Sequence, residues 1–147
     1  MRLRIPVLVA GAALLVVVAC GESRVAQPGE QVVNASIEGD WSVTSADTPL
    51  GSLADIVPGM STRAQVSLAD GEFGGQILGG NNFGGSYALS GDTLELTDVG
   101  QTLGSCMCPL DQLEGDFGVV ELFSVSFPST NEMVWTASDW RLTLARQ

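Results

Sequence analysis

The side chains of this chain that could do chemistry are three cysteines, seventeen carboxylates, six arginines and one tyrosine; histidine and lysine are both absent. That inventory excludes more than it offers. A Ser-His-Asp or Cys-His nucleophile needs an imidazole to take its proton, and an ordinary zinc site needs imidazole or a full set of thiolates. Covalent amine chemistry needs a lysine. Two carboxylates can hydrolyse a glycoside when they face each other about 5–9.5 Å apart across a sugar cleft, but no acidic pair here falls in a recognisable cleft pattern. Carboxylates also ligate calcium, which takes six to eight oxygens. Asp70, Glu72, Asp92 and Asp98 lie near turns and are the candidates for a cation- or ligand-binding module, although no Asp-x-Asp-x-Asp-Gly loop surrounds them. A net charge of −11 repels phosphate backbones, so nucleic acid is excluded as a partner. The expectation is a protein that is not an enzyme and carries no cofactor.

The cysteines divide into one at the start and two in the second half. Arg2 and Arg4 precede an apolar run from Ile5 to Ala19, which ends in Val17-Val18-Ala19-Cys20. A basic start, a short apolar stretch and a small residue at the cleavage point make a bacterial secretory signal. The run is shorter than the roughly 20 apolar residues a spanning helix wants, and Pro6 and Gly11 interrupt it. Its ending resembles the lipobox of bacterial lipoproteins. In that reading residues 1–19 are removed, Cys20 carries the lipid, and residues 20–36 form a flexible tether on the outer side of a membrane. Two or more acyl chains anchor a protein stably where one is marginal. The other two cysteines lie two apart in Gly104-Ser105-Cys106-Met107-Cys108-Pro109. In a strand their Cα atoms would be about 6.5–7 Å from each other, at the limit for a disulfide. A bridge would require a tight turn, and two thiols alone make a poor metal site; their redox state stays open.

From Ile37 to the C-terminus the pattern is that of antiparallel strands. Trp41 and Val43 alternate with polar residues, and Ala64, Val66 and Leu68 share one face. Tyr87 and Leu89 lead into Ser90-Gly91-Asp92, and Leu94 and Leu96 follow it, two half-buried strands joined by a turn. Val125 and Phe127, Met133 and Trp135, and Trp140, Leu142 and Leu144 continue the alternation, with Arg141, Thr143 and Arg146 on or near the other face. Glycine pairs at 74–75, 79–80 and 84–85 imply strong local curvature; no Gly-Lys-Ser/Thr ending makes them a phosphate loop. One helix is expected near Pro109 to Leu122, its apolar stripe formed by Leu110, Leu113, Phe117 and Val120. Gly115 and Gly118 weaken it, so it forms by packing on the sheet.

These segments resemble one family. Gly39-Asp40-Trp41-Ser42-Val43 is similar to the opening of META-domain (HslJ-like) proteins. Asn81-Asn82-Phe83-Gly84-Gly85-Ser86-Tyr87, followed by Gly91-Asp92-Thr93-Leu94-Glu95-Leu96, resembles their central hairpin. Met107-Cys108-Pro109 with Glu114 and Phe117 resembles the segment and acidic helix that follow, and Trp140 to Leu144 the closing strand. The resemblance implies an α+β fold, mainly antiparallel, with a curled sheet or partial barrel and one packed helix over residues 37–147. Asn81, Asn82, Phe83, Gly85, Tyr87 and Cys108 would be motif residues with structural roles. It also implies an envelope lipoprotein connected with stress tolerance or with a protein partner, and no catalytic set. Gly80 stands where that family usually has cysteine, Cys106 is an addition, and residues 48–59 are atypical.

Overall fold

The computed structural model describes residues 35–58, 63–102, 104 and 109–147. The signal segment, nearly all of the tether, Cys20, Cys106 and Cys108 lie outside the described residues.

Among the described residues nine strands follow in chain order: β1 (Gly39–Thr48), β2 (Gly51–Ser52), β3 (Gln65–Ala69), β4 (Glu72–Gln76), β5 (Phe83–Ser90), β6 (Thr93–Gln101), β7 (Leu122–Ser129), β8 (Glu132–Ala137) and β9 (Trp140–Arg146). Each pairs antiparallel with its spatial neighbour, in the order β2-β1-β3-β4-β5-β6-β7-β8-β9. β1 also pairs with β9, from Trp41 opposite Arg146 to Asp47 opposite Arg141. The expected curled sheet is therefore a closed up-and-down barrel of eight strands, with β2 a short flap on the end of β1. Closure pairs β1 with β9, strands that would otherwise leave free edges on an open sheet. At eight strands the interior is just wide enough for side chains to fill it.

Here they do fill it. Trp41, Trp135, Phe117, Phe123, Leu68, Ile77, Leu78, Leu94, Leu96, Leu113, Met133 and Leu142 are all essentially fully buried. The alternation read from β1, β3, β6, β8 and β9 supplies most of this set, and all three tryptophans are in the core. Among the described residues the Trp135 indole N–H meets no acceptor, an unpaired donor whose burial costs about 1–3 kcal/mol.

Among the described residues two helices interrupt the meander: α1 (Leu53–Ile56), between β2 and β3, and α2 (Pro109–Phe117), between β6 and β7. α1 occupies the atypical stretch and was not expected; it buries Leu53. α2 stops short of the expected Leu122. Gly118 follows it, with the Gly118 N–H on Glu114 O at 3.0 Å and the Val120 N–H on Phe117 O at 3.0 Å, so the chain tightens and leaves the helix. α2 covers the barrel end where β5, β7 and β9 begin. Phe117 meets the rings of Phe83, Phe123 and Trp140, each at the start of one of those strands, with centroids 5.4, 5.7 and 5.4 Å away.

The opposite end is closed by different means. The Arg146 guanidinium lies 4.3 Å from the centre of the buried Trp41 ring. It donates from Nη1 to Glu38 O at 3.0 Å and from Nη2 to Ser36 O at 2.7 Å. Trp41 Nε1 donates to Ile37 O at 2.8 Å. Arg146 thus belongs to the inward face with Leu142 and Leu144, where the sequence pattern puts it on or near the outer one. At a barrel mouth an inward position can hold a charge, because its head reaches carbonyls and solvent while its stem packs on an aromatic ring.

Candidate functional site

The motif residues are spread along the barrel wall rather than gathered at one point. Asn81 and Asn82 lie in the β4–β5 connection, Phe83 starts β5, Gly85 is two residues further on, and Tyr87 approaches the far mouth. The structure brings the first three together with α2 and leaves the last two to separate tasks.

Asn81 is the centre of the best-defined polar cluster. Its backbone N–H donates to Glu114 Oε1 at 2.6 Å, and its Nδ2 donates to Glu114 Oε2 at 2.6 Å and to Gly104 O at 3.0 Å. Its Oδ1 accepts from the Gly104 N–H at 2.7 Å and from Thr102 Oγ1 at 3.3 Å. The Asn82 N–H donates to Thr102 Oγ1 at 3.0 Å, and the Thr102 N–H donates to Asn82 O at 2.9 Å. One asparagine amide therefore fastens three segments: the β4–β5 loop, the exit from β6 and α2. Glu114 is 1 % exposed, and a carboxylate so buried is tolerable only when donors meet it. Both of its oxygens are met by Asn81.

Glu114 was not singled out as a buried acceptor by the sequence reading, yet a signal existed. Leu110, Leu113, Glu114 and Phe117 recur at i, i+3, i+4 and i+7, the spacing of one helix face, and all four are buried. The stripe drawn through Val120 passed over it because a carboxylate is seldom found on an apolar face.

Gly80 belongs to the same cluster. A Cβ there would fall against Glu114 Oε1 and lie 2.8 Å from Leu110 Cδ2. The position that resembling proteins give to cysteine is here taken by the helix. Gly80→Ala should overpack this contact and cost about 1–3 kcal/mol, read as a lowered denaturation midpoint at unchanged slope. Gly115→Ala, where a Cβ meets nothing within 4 Å, should instead stabilise by up to about 1 kcal/mol in the same measurement.

Gly85 serves the wall. β6 carries an irregularity opposite β5 between Gly84 and Ser86, with Asp98 at φ 53°. A Cβ on Gly85 would come within 2.6 Å of Thr97 O and 2.9 Å of the Phe73 ring. Only glycine lets the bulged strand approach so closely, which is the curvature expected of the paired glycines. Tyr87 is half-buried at the far mouth, beside Gly71, whose carbonyl accepts its N–H at 2.7 Å. Burial raises its hydroxyl above the ordinary tyrosine value; the carboxylates of Glu38 and Asp70 add to the rise and a backbone hydrogen bond at Gly71 opposes it.

The four acidic residues considered for a cation are not brought together. Asp70 is in the β3–β4 turn, Glu72 opens β4, Asp92 is in the β5–β6 turn and Asp98 is at the β6 bulge. Among the described residues, no three or more acidic or cysteine side chains group to hold a metal ion. Nor, among them, is any helix long and apolar enough to cross a membrane.

With this geometry in place, the comparison with known families is decisive. The META domain model matches residues 34–147. The chain belongs to the META domain family. Its META domain also resembles solved structures. A protein from Burkholderia xenovorans, determined by NMR, is 22% identical with a TM-score of 0.54, over 75% of this chain and 82% of that one. A protein from Bacteroides eggerthii is 13% identical with a TM-score of 0.48, over 76% and 100%. A lipocalin-like protein from Bacteroides uniformis is 16% identical with a TM-score of 0.47, over 75% and 97%. At these identities the likeness of the META domain to the first of them concerns the fold alone. No curated protein matches the chain.

Proposed function

We propose that this chain is a lipoprotein of the bacterial cell envelope whose META barrel works by contact with another envelope protein, in stress tolerance, and not by catalysis. The observation that carries the reading is the filled barrel axis. With Trp41, Trp135, Phe117 and Phe123 occupying it, the barrel's own interior is packed like a core, so the outer surface is where a partner would be met. The residue inventory supports the rest: no imidazole and no lysine for catalysis, and an apolar leader ending in Val17-Val18-Ala19-Cys20 for anchoring.

The test of anchoring is direct. The wild-type chain should incorporate a palmitate analogue and fractionate with membranes, and Cys20→Ala should abolish the label and move the protein to the soluble exported fraction. A wild-type chain that stays unlabelled, or a Cys20→Ala variant that stays on the membrane, refutes it.

A further inference from the structure

One stretch of the barrel wall is incomplete. β6 pairs with β5 along its whole length, from Ser90 opposite Thr93 to Phe83 opposite Gln101. Among the described residues it pairs with β7 only from Thr93 to Glu95, followed by the Leu96 N–H on Glu121 O at 2.7 Å. Among the described residues no strand pairs with Thr97–Gln101 opposite β5. In place of a strand stands the C-terminal part of α2, and between the two runs a groove of about 190 Å³ lined by Val99, Gly100, Gln101, Gly115, Gly118 and Val119.

Three features of this groove bear on what it would hold. Its wall on one side is a strand edge, whose backbone groups are a template for a further extended chain. Its other wall is kept low by Gly115, a residue costing about 1 kcal/mol in a helix interior, at a position where a Cβ would meet nothing within 4 Å. One of its lining residues, Val119, is the most exposed large apolar side chain among the described residues, at 78%. The volume is below the roughly 300–1,000 Å³ of small-molecule pockets and suits a single anchoring side chain. Exposed Asp98 and Asp116 adjoin the lining residues Val99 and Gly115 in the chain, and the whole protein is strongly acidic. Like charge disfavours a second copy of this chain and favours a basic occupant.

We infer that the β6–α2 groove is a docking site for an extended, basic peptide segment of a partner protein. The segment runs along the stretch of β6 that no described strand pairs, sets one apolar side chain into the groove against Val99 and Val119, and places basic residues toward Asp98 and Asp116. This rests on the interaction reading above and specifies its surface and its partner's chemistry.

The probe is a set of short synthetic peptides that alternate apolar residues with arginine, and the same peptides with glutamate in its place, titrated against the mature full-length chain. The arginine peptides should bind, slow hydrogen exchange at residues 98–101, and lose affinity as salt rises. Gly115→Arg, which projects a long cationic side chain into the groove from an open helical position, should weaken binding at least about tenfold without lowering the melting temperature. Equal binding by Gly115→Arg, equal binding of the glutamate peptides, or no binding of the arginine peptides overturns the inference. Photo-crosslinkers at Val119 and at Ser90, near the far end of the barrel, separate the two proposals in cells. Crosslinks from Ser90 alone leave an interacting barrel with a different surface, and crosslinks from neither position remove both.

Discussion

Asn81→Ala should lower the stability of the domain by about 2–4 kcal/mol, because it strips a donor from a buried carboxylate and unfastens three segments together. Among the described residues Glu114 would keep one bond, from the residue 81 N–H, and its Oε2 would lose the Asn81 Nδ2 donor. Gly104 would lose both of its bonds to the amide. For a domain of this size the loss corresponds to a fall in melting temperature of roughly 8–16 °C. The source of the loss is checked by a double-mutant cycle with Glu114→Ala. If the carboxylate and the amide stabilise each other, the two changes together should cost less than their sum, by about 1–3 kcal/mol. Additivity within about 0.5 kcal/mol would mean that the contact contributes shape and not energy. Asn81→Asp should be worse than Asn81→Ala, since it sets a second carboxylate against the first.

Phe117→Ala should cost about 3–5 kcal/mol, the upper end for core truncation. The ring is 1% exposed and sits among Phe83, Phe123 and Trp140, so its removal opens a cavity where three strands begin. The consequence should be local before it is global. α2 has nine residues with a glycine among them, too short to hold as an isolated helix in water. Without the Phe117 anchor its amides should exchange faster than those of β1 and β9, whose pairing lies elsewhere on the barrel. Hydrogen exchange followed residue by residue reads this directly. Protection of α2 equal to that of β1, with a melting temperature within about 5 °C of wild type, would show that the helix is held from the Asn81 side alone. Phe117→Leu should recover most of the loss, because it preserves much of the volume.

These two expectations also mark where the chain's local pattern was sufficient. Alternation along Trp41–Val43, Ala64–Leu68, Leu94–Leu96, Met133–Trp135 and Trp140–Leu144 was enough to name the buried face of five strands, since successive side chains in a strand point to opposite sides. The spacing of Leu110, Leu113 and Phe117 was enough to place a helix and its packed face. The residue inventory alone bounded the chemistry, and the central Asn81–Tyr87 segment carried the family.

What the pattern did not contain was which elements meet. Closure depends on Trp41–Asp47 pairing with Arg141–Arg146, some hundred residues away in the chain, and alternation gives a strand's face but not the register of a distant partner. Arg146 could be assigned inward only once that pairing set it at a barrel mouth over Trp41, where a charged head still reaches carbonyls. Glu114 became an acceptor only when α2 was laid across the barrel end, against a glycine with no side chain to hold it off. The motif asparagine expected only to have a structural role became a clamp for the same reason: a hydrogen-bonding group has no fixed role until packing decides which partners are within reach and whether water is there to compete.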